Sequence, residues 1–312
     1  MTEPQTTTRL MMVRPARFGF NPETATSNSW QTRVAGLADE EVQERAAAEL
    51  DGFAAALRAA GVEVLVYDDT AAPHKPDSVF PNNWVSFHAD GTVVLYPMLS
   101  PIRRAEVRDD LLDRVAADTG AGWPRRLDLR YLEAEDAFLE GTGSLVLDRV
   151  NRVAYACRSP RTSDAGLAAF AAAMGYEIVA FDGVDGSGAS AYHTNVLMGI
   201  GEGFAAVCLE SVPGDAERRA LRARLEATGH EVIELTGAQR DGFAGNLLAA
   251  RTPGGERLVL LSERAAKSLD ERRLDALERH GRLVHAPLDT IEAYGGGSAR
   301  CMLAEVYAPE PE

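Results

Sequence analysis

Three side chains in the sequence could together carry out covalent hydrolysis. Cys301 follows the segment GGGSAR, where glycines let the backbone approach a ligand closely and N–H groups can point at a developing negative charge. Its thiolate would be a strong nucleophile near neutral pH. His193 follows the loop GVDGSGAS, and an imidazole there can protonate a leaving amine and then deprotonate a water. Glu140, in FLEGTGSLVL, carries a carboxylate that we expect to be partly buried and to need a partner.

Each of these residues also has an ordinary structural interpretation. A free cysteine is usually a small buried apolar residue, and we adopt that interpretation for Cys157 and Cys208, which lie inside apolar strands. A single polar residue in a loop is more often structural than catalytic. The case for a site therefore depends on several such residues recurring at equivalent positions along the chain.

A repeat in the sequence predicts the elements that would bring these residues together. Five times, at intervals of 52 to 59 residues, a helix-like segment ends at a glycine and a short strand rich in β-branched residues follows. The glycines are Gly61, Gly120, Gly175, Gly229 and Gly281. A polar residue lies 16 to 22 positions after each glycine: Asp77 with Asn83, Glu140, His193, Asn246 and Cys301. Asn246 has no evident chemical role, and a task in packing alone is left open.

One unit reads strand, turn, strand, helix, Gly, strand. The last unit begins at ARCMLAEVY and runs out of chain after one strand, and TRLMMVRP near the N-terminus could supply its missing partner. Pairing of these two strands would close the units into a ring, with their loops at one end of a central channel. Helices are predicted at about 39–60, 104–119, 162–174, 214–228 and 264–280.

Composition and charge restrict the class of protein. With 312 residues, 46% hydrophobic and 25% charged, the chain is predicted to form one closed α/β domain over residues 1–312, with residues 1–9 and 308–312 loose. The net charge of −15 argues against nucleic acid or a membrane surface as a partner. Three cysteines and the lack of an apolar run of about 18 residues favour a cytoplasmic protein. No metal and no cofactor is predicted, because no Cys/His cluster has ligand spacing and GTG is too short for a phosphate loop.

The motifs resemble those of the guanidino-group-modifying superfamily, which includes arginine deiminases, dimethylarginine hydrolases, amidinotransferases and arginine or succinylarginine dihydrolases. GGGSARCM, LEGTGS and HTN carry the resemblance, in the family's motif order, from about residue 10 to 307. PDSVFPNNWVSFH and MVRPARFGFN are most similar to the bacterial citrulline-utilisation hydrolase type. The resemblance implies a pentein fold, a five-bladed α/β propeller with pseudo-fivefold symmetry. It also implies Cys301 as nucleophile, His193 as general acid and base, and Glu140 as the carboxylate that contacts His193 and the substrate.

The resemblance further implies substrate-binding residues. Asp77, in DSVFPNN, matches an acid that contacts the substrate amino group in dimethylarginine hydrolases. Arg103 in IRRAE and Arg161 in SPRTS match two further motifs, and an arginine can hold a substrate carboxylate in a bidentate way. The alternative for Arg103 is a surface residue that caps a helix. The expected partner is therefore a small amino acid, and a homo-oligomer is left open.

The chain departs from the deiminase pattern at Asn83 and Asn195, where deiminases carry Asp. Two amides in place of two carboxylates weaken the binding of a cation and suit a neutral ureido group, which has both a C=O and N–H groups. We therefore predict a hydrolase of linear amidine or ureido C–N bonds that converts citrulline to ornithine, ammonia and carbon dioxide. Alternatives are an arginine or N-acylarginine dihydrolase, an arginine deiminase or dimethylargininase, an amidinotransferase, and a non-catalytic pentein binding scaffold.

Overall fold

The computed structural model describes residues 3–307, which form five small β-sheets with helices between their strands. The strands within these residues are β1 (Arg9–Arg14), β2 (Glu63–Asp68), β3 (Val85–Phe87), β4 (Thr92–Leu95), β5 (Arg125–Asp128), β6 (Leu145–Asp148), β7 (Val153–Arg158), β8 (Glu177–Asp182), β9 (Met198–Gly201), β10 (Phe204–Val207), β11 (Glu231–Glu234), β12 (Leu248–Arg251), β13 (Arg257–Ser262), β14 (Arg282–Ala286) and β15 (Ala304–Glu305). The α-helices are α1 (Pro22–Ala25), α2 (Asp39–Ala59), α3 (Asp109–Thr119), α4 (Gly141–Ser144), α5 (Asp164–Met174), α6 (Asp215–Ala227), α7 (Gly237–Asp241), α8 (Glu263–Ser268), α9 (Glu271–Glu278) and α10 (Asp289–Gly295). Short 3₁₀ helices lie at Pro81–Asn83, Pro101–Glu106, Arg130–Glu135, Thr194–Val196, Leu209–Ser211 and Ala299–Met302.

The five sheets share one construction, which confirms the strand and helix repeat predicted from the sequence. A central strand pairs antiparallel with one neighbour and parallel with the strand that returns after the helix. The sheets are β15-β1-β2, β3-β4-β5, β6-β7-β8, β9-β10-β11 and β12-β13-β14. Leu10 of β1 lies opposite Glu305 of β15, so the strand near the N-terminus completes the last unit as predicted.

The long helices pack through one apolar face, as α2 illustrates. Val42, Leu50 and Leu57 of α2 are at most 1% exposed and belong to the core cluster that also contains Val64 of β2. Their spacing of seven to eight residues places them on one side of the helix. Acids fill the first turn of α2, where they interact favourably with the helix dipole.

Two predicted helix boundaries are wrong. The helix expected from residue 104 begins at Asp109, because the residues before it form the 3₁₀ helix Pro101–Glu106. The helix expected over 264–280 is divided into α8 and α9. Leu269 is extended there, and the side chain of Asp270 accepts a hydrogen bond from the backbone of Arg273, which starts a new helix.

The glycines of the repeat serve two geometric purposes. Gly61, Gly120, Gly175 and Gly229 have φ between +63° and +93°, a left-handed conformation that ends the preceding helical segment. Gly281 differs. A Cβ there would lie 2.9 Å from the backbone of Arg257, so a close approach of two chain segments requires this glycine.

Residues 3–9 are not loose, which corrects the prediction for the N-terminus. Glu3 is 8% exposed, and its carboxylate lies 2.7 Å from Nη1 of Arg149 in the turn between β6 and β7. Gln5 donates to the carbonyl of Leu147. A buried guanidinium needs an acid, and the N-terminal segment supplies one. Residues 1–2 and 308–312 lie outside the described residues. Within residues 3–307, the helices are too short or too polar to cross a bilayer.

Six of the eight predicted site residues lie on the connections between sheets, whereas Arg103 and Arg161 lie on the crossovers from β4 to β5 and from β7 to β8. Each connection runs from the parallel strand of one sheet to the first strand of the next. In chain order these connections carry Asp77 and Asn83, Glu140, His193 and Asn195, Asn246, and Cys301. Neighbouring sheets also contact one another: β9 contacts β6 and β12, and β15 contacts β3. Residues that are 50 or more positions apart can therefore share one site.

Candidate active site

A small, tightly packed cleft lies where the inter-sheet connections come together. Six of the eight predicted site residues line it: Asp77, Asn83, Arg103, Arg161, His193 and Cys301. The other two lie directly behind this lining, Glu140 against His193 and Asn195 against Cys301. All eight are at most 3% exposed. The structure thus brings every predicted residue to one place.

Glu140 holds the ring of His193 in one orientation. Nε2 of His193 lies 2.9 Å from Oε2 of Glu140, while Oε1 accepts the backbone N–H of Leu99 at 3.1 Å. The backbone N–H of Glu140 donates to the hydroxyl of Ser144 in α4, which holds the backbone of Glu140 in place. Since a carboxylate can only accept, Nε2 carries the proton. Nδ1 has no hydrogen-bond partner among residues 3–307 and is left as the basic nitrogen.

Burial and charge set the protonation states of the three central groups. Burial opposes ionisation of Glu140, but Arg161 and His193 outweigh it and hold the pKa of this carboxyl well below its usual range. Burial lowers the pKa of His193 to about 4, although Glu140 acts in the opposite direction. Burial also raises the pKa of the Cys301 thiol. An ionised carboxylate therefore lies beside a neutral imidazole that can accept the proton of a neutral thiol.

Two side-chain amides contact the sulfur of Cys301. Nδ2 of Asn246 lies 3.2 Å from Sγ, and Nδ2 of Asn195 lies 3.4 Å from it. The role of Asn246 was left open by the sequence, and the structure places its amide against Cys301. Its one signal in the sequence was its position 17 residues after Gly229, which matches the offset of the other site residues.

Arg103 is buried, so its alternative interpretation as a surface helix cap is wrong. Nε and Nη2 donate to the two carboxylate oxygens of Glu106 at 2.8 and 2.9 Å, and Nη1 donates to Oδ1 of Asn83 at 3.1 Å. Oδ2 of Asp77 lies 3.7 Å from Nε. Burial raises the pKa of Glu106 to about 7, although Arg103 opposes this. Glu106 was not predicted, and its signal was its place three residues after Arg103 in the same motif.

Arg161 joins the carboxylate of Glu140 to a segment that covers the cleft. Its Nη1 lies 3.5 Å from Oε2 of Glu140. Its Nη2 donates to the carbonyl of Thr24 at 3.0 Å and to the hydroxyl of Ser27 at 2.9 Å. The guanidinium also lies 5.0 Å from the ring centre of Tyr192, within the range of a cation–π interaction.

The covering segment, residues 21–31, was not predicted to belong to the site. Thr24 and Asn28 line the cleft, and Nδ2 of Asn28 donates to the carbonyl of Gly296. Asn21 donates to Oδ2 of Asp77 at 2.6 Å. The available signal was the family-like stretch MVRPARFGFN, whose last residue is Asn21.

Three buried polar atoms at the site have no hydrogen-bond partner within the described residues. They are Oδ1 of Asp77, Oδ1 of Asn195 and Nδ2 of Asn82, the neighbour of Asn83. Leaving such an atom unpaired costs about 1–3 kcal/mol, so a bound molecule that pairs it gains free energy. Asp77 lines the cleft and Asn195 contacts Cys301, so their two acceptors are placed to meet a ligand, whereas Asn82 lies outside the lining.

Two glycines of the GTG sequence allow the connections to approach one another. A Cβ at Gly141 would lie 2.2 Å from the carbonyl oxygen of Asn82, and its φ is +47°. A Cβ at Gly143 would lie 2.5 Å from Nδ2 of Asn83 and 2.6 Å from Nδ1 of His193. These glycines therefore position site residues. The described part of the chain has no group of three or more His, Cys, Asp or Glu placed to hold a metal ion.

Comparison with known proteins gives a family match and several similar folds. Residues 14–308 match the model of the family described as N,N dimethylarginine dimethylhydrolase, eukaryotic. No curated protein matches. The N-terminal domain of ArgZ, covalently bound to a reaction intermediate, has a TM-score of 0.72 and 18% sequence identity over 96% of this chain and 98% of that one. A dimethylarginine dimethylaminohydrolase adduct with S-methyl-L-thiocitrulline has a TM-score of 0.64 and 13% identity over 98% and 100% of the two chains.

The apo structure of ArgZ, an arginine dihydrolase from the ornithine-ammonia cycle in cyanobacteria, has a TM-score of 0.74 and 18% identity over 96% of this chain. This chain spans 41% of that ArgZ chain. At such identities these neighbours show a shared α/β fold, whereas the family model covers nearly the whole sequence. The pentein superfamily of guanidino-modifying enzymes, predicted from the motifs, is confirmed. The chain belongs to the N,N-dimethylarginine dimethylhydrolase family and is a hydrolase of C–N bonds in arginine-related compounds.

Proposed function

We propose that the protein hydrolyses citrulline to ornithine, ammonia and carbon dioxide. The observation that carries the proposal is the charge pattern of the cleft. Its lining has one acid, Asp77, beside two arginines, Arg103 and Arg161. A free amino acid has one ammonium and one carboxylate, which complement that acid and those arginines. The unpaired Oδ1 of Asp77 supports an ammonium partner, although burial raises the pKa of Asp77 and Arg103 opposes this.

The charges around Glu140 favour a neutral head group over a cationic one. Arg103 and Arg161 each place a guanidinium nitrogen within 3.6 Å of its Oε2. Arg103 is also paired with Glu106, so a substrate guanidinium beside Glu140 would meet mainly the like charge of Arg161. Asn83 and Asn195 add no compensating negative charge. A ureido group avoids the repulsion, and its N–H groups can donate to the unpaired Oδ1 of Asn195.

The proposed reaction is covalent and uses two proton transfers by His193. Nδ1 of His193 takes the thiol proton of Cys301, and the sulfur forms a bond to the ureido carbon. His193 returns that proton to the ornithine nitrogen as its C–N bond breaks, which leaves an S-carbamoyl enzyme. His193 then deprotonates a water that attacks the same carbon, and the C–S bond breaks. The carbamate released decomposes to ammonia and carbon dioxide, while Glu140 stabilises the imidazolium in both transfers.

Arginine dihydrolysis is the second candidate, favoured by the similarity in fold to the arginine dihydrolase ArgZ. Such an enzyme processes a guanidino group and then a ureido group, so the amides at Asn83 and Asn195 do not separate the two candidates. The charge repulsion described above is what favours citrulline as the first substrate.

The experiment is to incubate the purified protein with citrulline and, separately, with arginine, and to quantify ornithine, citrulline and ammonia. Ornithine from citrulline at a higher rate than from arginine supports the proposal. Ornithine from arginine at an equal or higher rate supports the dihydrolase, and accumulated citrulline indicates a deiminase. Cys301→Ala should abolish turnover, and Cys208→Ala, which removes a buried thiol outside the cleft, serves as its control.

We also propose that residues 1–312 form one domain in which the five sheets are blades around a central axis with pseudo-fivefold symmetry. Side-by-side contacts between neighbouring sheets and the β1–β15 pairing support this arrangement. One cooperative unfolding transition, coincident by circular dichroism and fluorescence, is the expected result. Two separated transitions would contradict a single domain.

A further inference from the structure

We propose that Asn246 is a catalytic residue whose side-chain amide donates a hydrogen bond that stabilises the thiolate of Cys301. This inference rests on the proposed function, since it concerns the nucleophile of that reaction. Nδ2 of Asn246 lies 3.2 Å from Sγ, nearer than Nδ2 of Asn195 at 3.4 Å. Asn195 adds a second, longer hydrogen bond to the same sulfur.

The orientation of the Asn246 amide is determined by backbone groups. Its Oδ1 lies 3.0 Å from the backbone nitrogen of Arg300, which can only donate. Its Nδ2 lies 2.9 Å from the backbone carbonyl of Asn195, which can only accept. Reversing the amide would lose both bonds. A donor therefore faces the sulfur, and a donor is stronger toward a thiolate than toward a thiol.

The loop that carries Asn246 is held tightly against the Asn195 turn. A Cβ at Gly245 would lie 2.9 Å from the backbone of Leu197, so the two connections are in direct contact. The N–H of Asn246 donates to the carbonyl of Phe243, and the side chain is fully buried. A residue needed only to fill space here could be apolar. Here the side-chain amide of Asn246 is buried and all its N–H and C=O groups have hydrogen-bond partners, which indicates that its hydrogen bonds are needed.

Among the described residues, no charged group contacts the sulfur as directly as this neutral amide. Arg300 lies near Cys301, and the titratable groups that line the cleft with it are Tyr192, His193, Asp77, Arg103 and Arg161. Of these, Arg103 is paired with Glu106 and Arg161 with Glu140. Burial lowers the pKa of His193 and raises that of Tyr192, so both are neutral near pH 7. The guanidinium of Arg300 donates to Glu305 and to the carbonyl of Leu303, away from the sulfur. Burial raises the pKa of the thiol, and the Asn246 amide is the largest opposing influence.

The test is a titration of the Cys301 thiol, which needs no substrate. The thiolate is measured by its ultraviolet absorbance as a difference from the matching Cys301→Ser protein, and by the pH dependence of alkylation with iodoacetamide. Asn246→Ala should raise the thiol pKa by about one and slow alkylation about tenfold below that pKa, as expected for a lost charge-assisted hydrogen bond. Asn151→Ala, in the turn between β6 and β7, is the control and should titrate like the wild type.

Asn246→Asp tests the contact with the sulfur by a second route. The acid keeps an oxygen for the N–H of Arg300, but it loses the donor to the carbonyl of Asn195 and places an acceptor toward the sulfur. A thiol pKa equal to that of the wild type in a folded Asn246→Ala or Asn246→Asp protein would overturn the proposal. If the amide stabilises the thiolate, the thiol pKa should rise more than in Asn246→Ala. If Asn246→Ala does not fold, the thiol pKa of the nearly isosteric Asn246→Asp variant decides the test. A wild type inactive on citrulline and arginine would refute the proposed function and leave this titration fully interpretable.

Discussion

Substitution of Gly143 by alanine should inactivate the enzyme while leaving it folded. A Cβ at this position would lie 2.5 Å from Nδ2 of Asn83 and 2.6 Å from Nδ1 of His193. Ordinary contacts of a Cβ begin near 3.4 Å, so the imidazole would have to move by about 0.8 Å. Gly143 lies within α4 and its φ is not left-handed, so alanine meets no backbone strain there.

The size of the expected loss of activity follows from the displacement of His193. His193 is fixed by its 2.9 Å contact with Glu140, and a displacement of about 1 Å from a reacting position costs about 100-fold in rate. Overpacking a buried site costs about 1–3 kcal/mol of stability. We therefore expect kcat/KM for citrulline to fall about 100-fold, with a modest loss in the free energy of unfolding measured by urea.

Two further glycines serve as comparisons for this substitution. Gly122→Ala has no atom within 4 Å of its new Cβ and should change neither kcat/KM nor stability. Gly141→Ala would place its Cβ 2.2 Å from a backbone oxygen at a left-handed φ, so it should destabilise the fold itself. If Gly143→Ala were folded and its kcat/KM matched the wild type, the reasoning from close packing would be refuted.

Three other predictions concern charged groups. Burial raises the pKa of Glu292 from 4.5 to about 7, so this carboxyl group binds its proton more tightly in the folded protein than in the unfolded one. The free energy of unfolding therefore decreases as the pH rises from 4.5 to about 7. The difference in free energy of unfolding between Glu292→Gln and the wild type, measured with urea, should therefore shift by about 3 kcal/mol in favour of the variant from pH 4 to pH 8. A difference that does not change with pH would contradict this prediction. Glu3→Ala leaves buried Arg149 without its closest acid and should lower the free energy of unfolding by about 3 kcal/mol. Glu226→Ala, which removes an exposed ion pair with Arg222, should lower it by less than about 1 kcal/mol in the same measurement. Arg161→Lys has one ammonium group in place of the guanidinium nitrogens that contact Glu140 and the covering segment. It should raise KM for citrulline at least about tenfold with a smaller change in kcat, and an unchanged KM would remove Arg161 from substrate binding.

Local signals in the sequence were enough to predict the five repeat units, but they could not predict burial that depends on a partner far away in the sequence. A glycine after an amphipathic helix and before a β-branched strand marks each unit, because both periodicities and the turn are properties of a few adjacent residues. The polar start TEPQTTT indicated a loose end, yet Glu3 is buried because Arg149, more than 140 positions away, needs an acid. The burial of Arg103 likewise depends on Asp77 and Asn83, which belong to another connection.

Asn246 changes how the chemistry is distributed over the chain. Each of the five inter-sheet connections now places at least one polar group at the site, and the fourth contributes the amide that contacts the nucleophile. The carboxylate of Glu140, the imidazole of His193, the amide of Asn246 and the thiol of Cys301 therefore lie on four separate connections, so movement of any one of these loops would change their relative geometry. Close approaches at Gly143 and Gly245 hold these connections in contact with one another. Because those contacts are backbone to backbone or backbone to buried side chain, the precision of the site depends on the packing of the sheets themselves.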